Sequence, residues 1–273
     1  MARKARLDAE LVRRGLARSR EHAAELVAEG RVQVRGIRAT KPATGVAADT
    51  PLLVKELDTP EWVSRGARKL VGALDAMTDG GPPVAGRRCL DAGASTGGFT
   101  DVLLHRGARE VVAVDVGYGQ LAWRLRTDER VRVHDRTNVR TLAAGDIGGA
   151  AELTVADLSF ISLRLVLPAL VACTEYGGDL LPMVKPQFEV GRDRLGAGGV
   201  VRDPELRAAA VLDVVSVATD LGLAVVDVTA SPLPGPSGNV EYFLWLRRGS
   251  VDQRRGAEYA ESMVKAAVQE GPR

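Results

Sequence analysis

Seven short apolar runs alternate with stretches of helical character from Gly66 to the end of the chain. In order they are RCLDAG, EVVAVDV, RVRVHD, LTVADL, DLLPMVKP, GLAVVDVTA and EYFLWLRR. Strands that alternate with helices favour a parallel sheet with helices on both faces. Ligands of such sheets bind beyond the carboxyl ends of the strands. The sequence therefore predicts an α/β domain whose chemistry lies in the residues that end these runs.

The length of 273 residues leaves room for a second, smaller domain ahead of this sheet. Residues 1–41 hold eleven Lys and Arg and five Asp and Glu, so this part carries +6 and the remainder −4. A basic module on a mildly acidic body indicates a polyanionic partner, and solubility alone is the alternative. Pro60 and Trp62 interrupt the pattern, so we predict one domain over residues 1–62 and another over 63–273.

Cys89 and Cys173 are the two cysteines of the chain, and neither they nor the three His have metal-ligand spacing. We expect Cys89 to be buried, because it begins an apolar run. The chain shows neither a signal-peptide core nor an apolar window of membrane-spanning length. We therefore expect a cytoplasmic protein with no metal and no membrane partner.

The first forty residues predict two short helices and then a hairpin. Gly15 ends the first helix, Ser19 can cap the second, and Gly30 ends it. The segment RVQVRG alternates apolar and polar residues like a strand with one basic face, and Gly36 turns it.

This order of residues, RLDAELVRRGLARSREHAAELVAEGRVQVRG, resembles the S4 RNA-binding domain over roughly the first sixty residues. In that family the helices and the hairpin present basic residues to structured RNA. The resemblance implies a small S4-like α+β domain, and for each basic residue plain solvent exposure is the alternative. The implied RNA contacts are Arg3, Lys4, Arg6, Arg18, Arg20 and Arg35.

The stretch CLDAGASTGGFTDVLL places a glycine turn between a strand and a helix. A P-loop would continue with Lys and Ser or Thr after its last Gly, and here FTD follows. A dinucleotide site would have the spacing G-x-G-x-x-G, whereas this turn has G-x-x-x-G-G with Asp91 just ahead of it. A carboxylate at Asp91 repels a pyrophosphate and attracts an ammonium. The turn therefore predicts a cationic ligand.

S-adenosylmethionine (SAM) meets this requirement, because it carries an ammonium, a sulfonium and a ribose diol but no phosphate. Asp115 ends the next run, where a carboxylate accepts both ribose hydroxyls, and Asp135 is a candidate for the adenine edge. A helix cap or a turn is the alternative role for each acid. The predicted cofactor site comprises Asp91, Gly93, Ser95, Thr96, Gly97, Gly98, Phe99, Asp115, Asp135 and Asp157.

Two classes of SAM-dependent enzyme do not fit the strand ends. Enzymes that methylate base amino groups usually end the fourth strand with Asn or Asp, two prolines and an aromatic residue, whereas this chain has ADLSFIS. Enzymes that methylate pyrimidine C5 need a nucleophilic cysteine, and neither cysteine has that setting. The strand ends carry charged side chains instead, of which a structural salt bridge would explain one pair: Lys69, Asp157, Lys185 and Glu241.

The order Lys, Asp, Lys, Glu, together with DAGASTGGFT, DVGYGQL, ADLSFIS, VKPQFEVG and PSGNVEYF, resembles the FtsJ-like ribose 2′-O-methyltransferases. With the S4-like segment, nearly the whole chain resembles the TlyA family, cytidine 2′-O-methyltransferases of ribosomal RNA that are also named hemolysins. The resemblance implies a Rossmann-like methyltransferase sheet, SAM as cofactor, and 16S and 23S RNA in both ribosomal subunits as partners. It also implies a catalytic tetrad of Lys69, Asp157, Lys185 and Glu241. Asp135 stands where Glu is expected.

The tetrad would serve a poor nucleophile, the ribose 2′-hydroxyl, by aligning it with the sulfonium methyl and helping to remove its proton. Lys185 is the candidate base, and stabilising the developing oxyanion is its alternative role. Phe160 and Phe188 are candidates either for stacking on a base or for the core. Two other functions stay open at this point. One is an RNA-binding ribosome-assembly factor without catalysis, and the other is a membrane-active hemolysin.

Overall fold

The computed structural model describes residues 4–28, 30–55, 61–235, 237–249 and 257–271. Packing divides the chain into two compact units, Met1–Glu61 and Trp62–Arg273. Trp62 packs inside the second unit, where its ring meets His105 edge-on at 5.2 Å between centroids.

The described part of the first unit contains two helices and two small sheets. Its elements are β1 (Ala5–Arg6), α1 (Leu7–Arg13), α2 (Arg20–Ala28), β2 (Val32–Val34), β3 (Ile37–Arg38), β4 (Gly45–Val46) and β5 (Leu52–Val54). β1 pairs with β4, and β2 lies between β3 and β5, all antiparallel. The predicted helices and hairpin are confirmed, and Ser19 Oγ accepts a hydrogen bond from the His22 amide at 3.2 Å.

Apolar side chains from both helices and β2 form the core of this unit. Leu7 and Leu11 of α1, Leu26 and Val27 of α2, and Val32 of β2 are all buried. The spacing of Leu7 and Leu11 places them on one face of α1, four residues apart. Most of the described basic side chains of the unit lie at its surface, whereas Arg14 is half-buried.

The second unit alternates strands and helices, as the apolar runs predict. Its elements are α3 (Gly66–Ala76), β6 (Arg88–Ala92), α4 (Gly98–His105), β7 (Glu110–Val114), α5 (Trp123–Arg126), β8 (Val131–His134), β9 (Ala151–Ala156), α6 (Leu163–Ala172), β10 (Thr174–Val184), α7 (Pro186–Glu189), α8 (Pro204–Asp220), β11 (Leu223–Ala230), β12 (Tyr242–Arg248) and α9 (Ala257–Glu270). All seven predicted strands are confirmed.

These strands form one sheet in the order β11-β12-β10-β9-β6-β7-β8. Neighbours from β10 to β8 are parallel, whereas β12 runs antiparallel to both β10 and β11. The sheet is therefore parallel except for β12, which is the last strand along the chain and lies between β11 and β10. The connection from β11 to β12 has eleven residues, 231–241. A parallel strand would need a crossover of a dozen residues or more, so this short connection favours the antiparallel direction of β12.

Helices cover both faces of the sheet. One apolar cluster joins α6, α8 and α9 to one face through side chains such as Leu167 and Val214. A second joins α3 and α4 to the other through Leu70 and Leu103. Cys89 and its neighbour Leu90 belong to opposite clusters, because successive strand residues point to opposite faces. Cys89 is buried, as predicted.

Parallel strands bring their carboxyl ends to one edge of the sheet, and we call this the carboxyl edge. The residues that follow β6, β7, β9 and β10 lie there: the glycine turn, Asp115, Asp157 and Lys185. Glu241 lies there too, because β12 begins where β10 ends, with Tyr242 opposite Val184. Across the described ranges, no helix is long and apolar enough to cross a membrane.

Candidate active site

The glycine turn between β6 and α4 allows two close approaches that side chains would block. Gly93 has φ +88°, and a Cβ there would lie 2.5 Å from the carbonyl oxygen of Asp157. A Cβ on Gly98 would lie 2.4 Å from Ser64 Oγ and 2.9 Å from the Ala67 amide. Real Cβ atoms do not approach so closely, so Gly93 lets the turn pass the end of β9 and Gly98 lets α4 pass α3.

Asp91 lies under this turn and is fully buried. Its Oδ2 accepts hydrogen bonds from the Thr100 amide at 2.8 Å and from Thr100 Oγ1 at 2.7 Å. Its Oδ1 is buried without a partner. Burial raises the pKa of Asp91 to about 7, and the nearby Asp157 and Asp115 add to the shift. A cation at Oδ1 would satisfy the free oxygen and favour the ionised carboxylate.

Asp115 and Asp135 follow neighbouring strands, as predicted. Asp115 is half-buried and accepts hydrogen bonds from the amides of Ser95 and Gly117, at 2.8 and 2.7 Å. It therefore ties the glycine turn to the segment after β7. Asp135 instead accepts from Arg126 at 2.5 Å and from the Gly119 amide at 3.2 Å.

The other predicted cofactor residues divide between surface and core. Ser95 and Thr96 are exposed at the tip of the turn, and Gly97 has φ +98° beneath Leu125. The Phe99 ring is buried in the core, with its centroid 5.9 Å from that of Phe243. The Phe99 side chain therefore packs in the core, and its part in the cofactor site stays a prediction.

The tetrad forms two ion pairs. Lys69 of α3 and Glu241 form a buried pair, with side chains 7% and 1% exposed. Lys185 Nζ lies 2.6 Å from Asp157 Oδ1 and donates a hydrogen bond to Ser159 Oγ at 2.8 Å. The contact with Asp157 is between charges and lacks the alignment of a hydrogen bond.

The two pairs differ in access to solvent. Asp157 keeps 24% of its side chain exposed and Lys185 keeps 9%, whereas Glu241 is sealed. Lys185 and Glu241 follow and precede the register pair Val184 and Tyr242, so they meet the same edge on adjacent strands. The more open pair is thus the one that an incoming group can reach.

The predicted RNA contacts that the structure describes are exposed, and two of them share one buried acid. Arg6 and Arg20 lie 2.8 and 3.1 Å from Asp8 Oδ2. The Arg6 guanidinium, followed by that of Arg20, holds the pKa of Asp8 far below its usual range. Arg18 lies 3.7 Å from Glu61, and Lys4 and Arg35 are exposed. Arg3 lies outside the described residues.

Comparison with known proteins identifies both units. The family model of the FtsJ-like methyltransferases matches residues 62–248, and that of the S4 domain matches residues 5–50. The 16S/23S rRNA (cytidine-2′-O)-methyltransferase TlyA of Mycobacterium tuberculosis (strain H37Rv) is 61% identical over 272 residues, which is 100% of both chains. The chain belongs to the TlyA family of FtsJ-like methyltransferases.

Two further proteins are similar to this chain over much of its length. The 23S rRNA (cytidine-2′-O)-methyltransferase TlyA of Campylobacter jejuni is 36% identical, over 67% of this chain and 70% of its own. A solved structure of a protein named as a hemolysin, from Streptococcus thermophilus, has a TM-score of 0.75. It is 37% identical and covers 99% of this chain and 98% of its own. The fold class of an FtsJ-like sheet with an S4 domain is confirmed.

Two exposed residues beside Asp115 were not among the residues predicted from the sequence. Val116 and Tyr118 are 75% and 69% exposed, and the Arg136 guanidinium lies 4.2 Å from the Tyr118 ring centroid. Exposed apolar side chains next to a strand-end carboxylate are typical of a ligand surface. The signal was present in DVGYG, where an apolar and an aromatic residue interrupt a turn.

We predict that Gly93→Ala destabilises the second unit by about 3 kcal/mol, because positive φ and steric overlap with Asp157 act together. Gly119→Ala is the control, since Gly119 has φ +65° but open space around its Cβ position, and should cost about 1 kcal/mol. Trp62, Trp123 and Trp245 all lie in the second unit, so fluorescence during denaturation reports on it. Equal losses of unfolding free energy in the two variants would show that steric overlap with Asp157 does not contribute to the effect at Gly93.

Proposed function

We propose that this chain transfers a methyl group from SAM to the ribose 2′-hydroxyl of cytidines in 16S and 23S ribosomal RNA. The observation that carries the proposal is the full-length, 61% identity to a relative named for both RNAs. The relative named for 23S RNA alone is less similar and matches less of the chain. We therefore favour two substrate RNAs over one.

The residues of the glycine turn fit SAM. Asp91 Oδ1 is a buried oxygen without a partner, which suits the ammonium of the methionine end. Asp115 suits the ribose hydroxyls, and the exposed Val116 suits a flat apolar surface such as adenine. Bound there, SAM would supply an electrophilic methyl group on its sulfonium.

Within this proposal the two ion pairs have different roles. Lys185 has its amine held by Asp157 and Ser159 at the more open position, where it meets the 2′-hydroxyl. There it accepts the proton if its amine is neutral, or as the ammonium it stabilises the negative charge that develops on the oxygen. The sealed pair of Lys69 and Glu241 fixes the floor of the site, because breaking a buried pair leaves one charge unsatisfied.

Phe160 is our candidate for contact with the target base. It follows Asp157 by three residues and is 92% exposed, which rules out the core for its ring. Its φ of +64° is a conformation that bulky residues rarely adopt. The centroid of the Phe188 ring lies 5.3 Å from that of the Phe160 ring, so Phe188 packs against one side of Phe160. An exposed, supported aromatic ring suits stacking on a base taken out of its helix.

The S4 unit supplies the binding of structured RNA in this proposal. Asp8 holds Arg6 and Arg20 side by side, while both side chains stay more than half exposed. Such fixed, exposed guanidinium groups suit the phosphates of an RNA backbone. Lys4, Arg18 and Arg35 are exposed as well and add positive charge to the unit.

We predict that the wild-type protein transfers label from SAM to unmodified small and large ribosomal subunits, and that Lys185→Ala loses at least about 100-fold in rate. The labelled nucleotide should map to 2′-O-methylcytidine, which resists alkaline cleavage at its 3′ side. A matched control is Lys265→Ala, which removes a lysine from an exposed pair with Glu261 on α9. Its rate should equal that of the wild type.

The same assay separates the alternatives. SAM binding without transfer to either subunit would favour a non-catalytic assembly factor and contradict the proposal. Label on a base, or on a ribose other than that of cytidine, would contradict the acceptor. Label on the large subunit alone would remove 16S RNA from the proposal.

We predict that SAM binds roughly tenfold or more tightly to the wild type at pH 7 than at pH 5.5, because Asp91 must ionise to meet the ammonium. Burial raises the pKa of Asp91 to about 7, so the carboxyl is largely protonated at pH 5.5 and half ionised at pH 7. Calorimetric titration over this range measures the effect. Asp91→Asn should bind more weakly than the wild type at pH 7 and show little dependence on pH. An equal pH dependence in both proteins would remove Asp91 from the ammonium site.

A further inference from the structure

A buried carboxylate joins the segment after Lys185 to the segment after Asp157. Glu189 ends α7, four residues past Lys185, and its side chain is 1% exposed. It accepts hydrogen bonds from Ser162 Oγ at 2.5 Å and from the Leu163 amide at 2.7 Å, and Arg164 Nε lies 3.3 Å away. All three donors belong to the beginning of α6.

Glu189 therefore caps a helix from outside that helix. The free amides and the dipole at a helix N-terminus favour a negative charge, so the position stabilises the start of α6. Arg164 strengthens the link, because its Nη2 also donates to the Glu189 carbonyl oxygen at 3.1 Å. The beginning of α6 cannot shift relative to α7 without breaking several of these bonds.

The six residues 157–162, which we call the acceptor loop, are thereby held at both ends. The Asp157 amide donates to the Ala92 carbonyl at 3.1 Å, and Ser162 is bound to Glu189. Between these anchors, Ser159 contacts Lys185 and Phe160 has its strained backbone. A strained residue persists only where its surroundings hold it in place.

We propose that Glu189 is a positioning residue for methyl transfer. By fixing the start of α6 against α7, it sets the acceptor loop relative to Lys185, and so places Ser159 and Phe160, whereas Asp157 keeps its own anchor on Ala92. This inference rests on the proposed function, since it deepens the account of the same site. It assigns no contact with SAM to Glu189, so SAM affinity should not depend on it.

The test compares Glu189→Ala and Glu189→Gln with Asp203→Ala in single-turnover methyl transfer to ribosomal subunits. Asp203 caps α8 by accepting from the Glu205 amide at 2.8 Å, so its removal also costs a helix cap but leaves the acceptor loop intact. Displacement of a reacting group by about 1 Å costs on the order of 100-fold in rate. We expect that loss in Glu189→Ala, about tenfold in Glu189→Gln, which keeps one acceptor oxygen, and less than about twofold in Asp203→Ala.

Two further readouts exclude a merely structural role. The SAM dissociation constant of the Glu189 variants should stay within about twofold of the wild type. Hydrogen exchange of amides 157–163 should become faster in Glu189→Ala and not in Asp203→Ala. Rate and SAM affinity that fall together, or equal rate losses in Glu189→Ala and Asp203→Ala, would overturn the inference.

Failure of the proposed function would look different. If the wild type methylates neither subunit, exchange still decides whether Glu189 holds the acceptor loop. Unchanged exchange at 157–163 would overturn the positioning role whatever the substrate is. Faster exchange would support the link while the ribosomal substrate itself is rejected.

Discussion

The site depends on one close approach between two strand ends. Gly93 follows β6 and passes the carbonyl of Asp157, which follows β9, with no room for a Cβ between them. The same step brings the proposed SAM turn against the first residue of the acceptor loop. Because β6 and β9 are parallel neighbours in the sheet, the approach is a consequence of strand order. The glycine turn and the first residue of the acceptor loop thus meet through the backbone.

The charged side chains at the carboxyl edge differ in how deeply they are buried. Asp91 is buried and half-satisfied, Lys69 and Glu241 are sealed, and Lys185 with Asp157 is more open. Buried charges persist only when paired or bonded, so the sealed pair gives the edge a fixed geometry. In the proposed reaction, the open pair of Lys185 and Asp157 meets the hydroxyl, and the unpartnered oxygen of Asp91 meets the ammonium of SAM. The arrangement suits methyl transfer, which needs alignment more than it needs strong acid or base chemistry.

Much of the fold could be predicted because its signals are local. The seven apolar runs, the glycine spacing and the helix caps near Ser19 and Gly30 each depend on neighbouring residues. The direction of β12 depends on the length of a connection, and the pairing of Lys69 with Glu241 joins residues 172 apart. The hydrogen bonds of Glu189 and the burial of the Phe99 ring likewise follow from tertiary packing. The four charged residues were identified at the strand ends, whereas their role as a catalytic tetrad came from family resemblance and stays a prediction.

The central claim of the proposal is that Lys185 acts on the 2′-hydroxyl and that the sealed pair of Lys69 and Glu241 supports it in the same step. A double-mutant cycle on the single-turnover rate of methyl transfer tests it, with Lys185→Met, Glu241→Gln and the double variant, at saturating SAM. Residues that act as a unit give strongly non-additive losses, so the double variant should be about as slow as the slower single variant. Losses that multiply, or a Lys185→Met variant with the wild-type rate, would contradict the account.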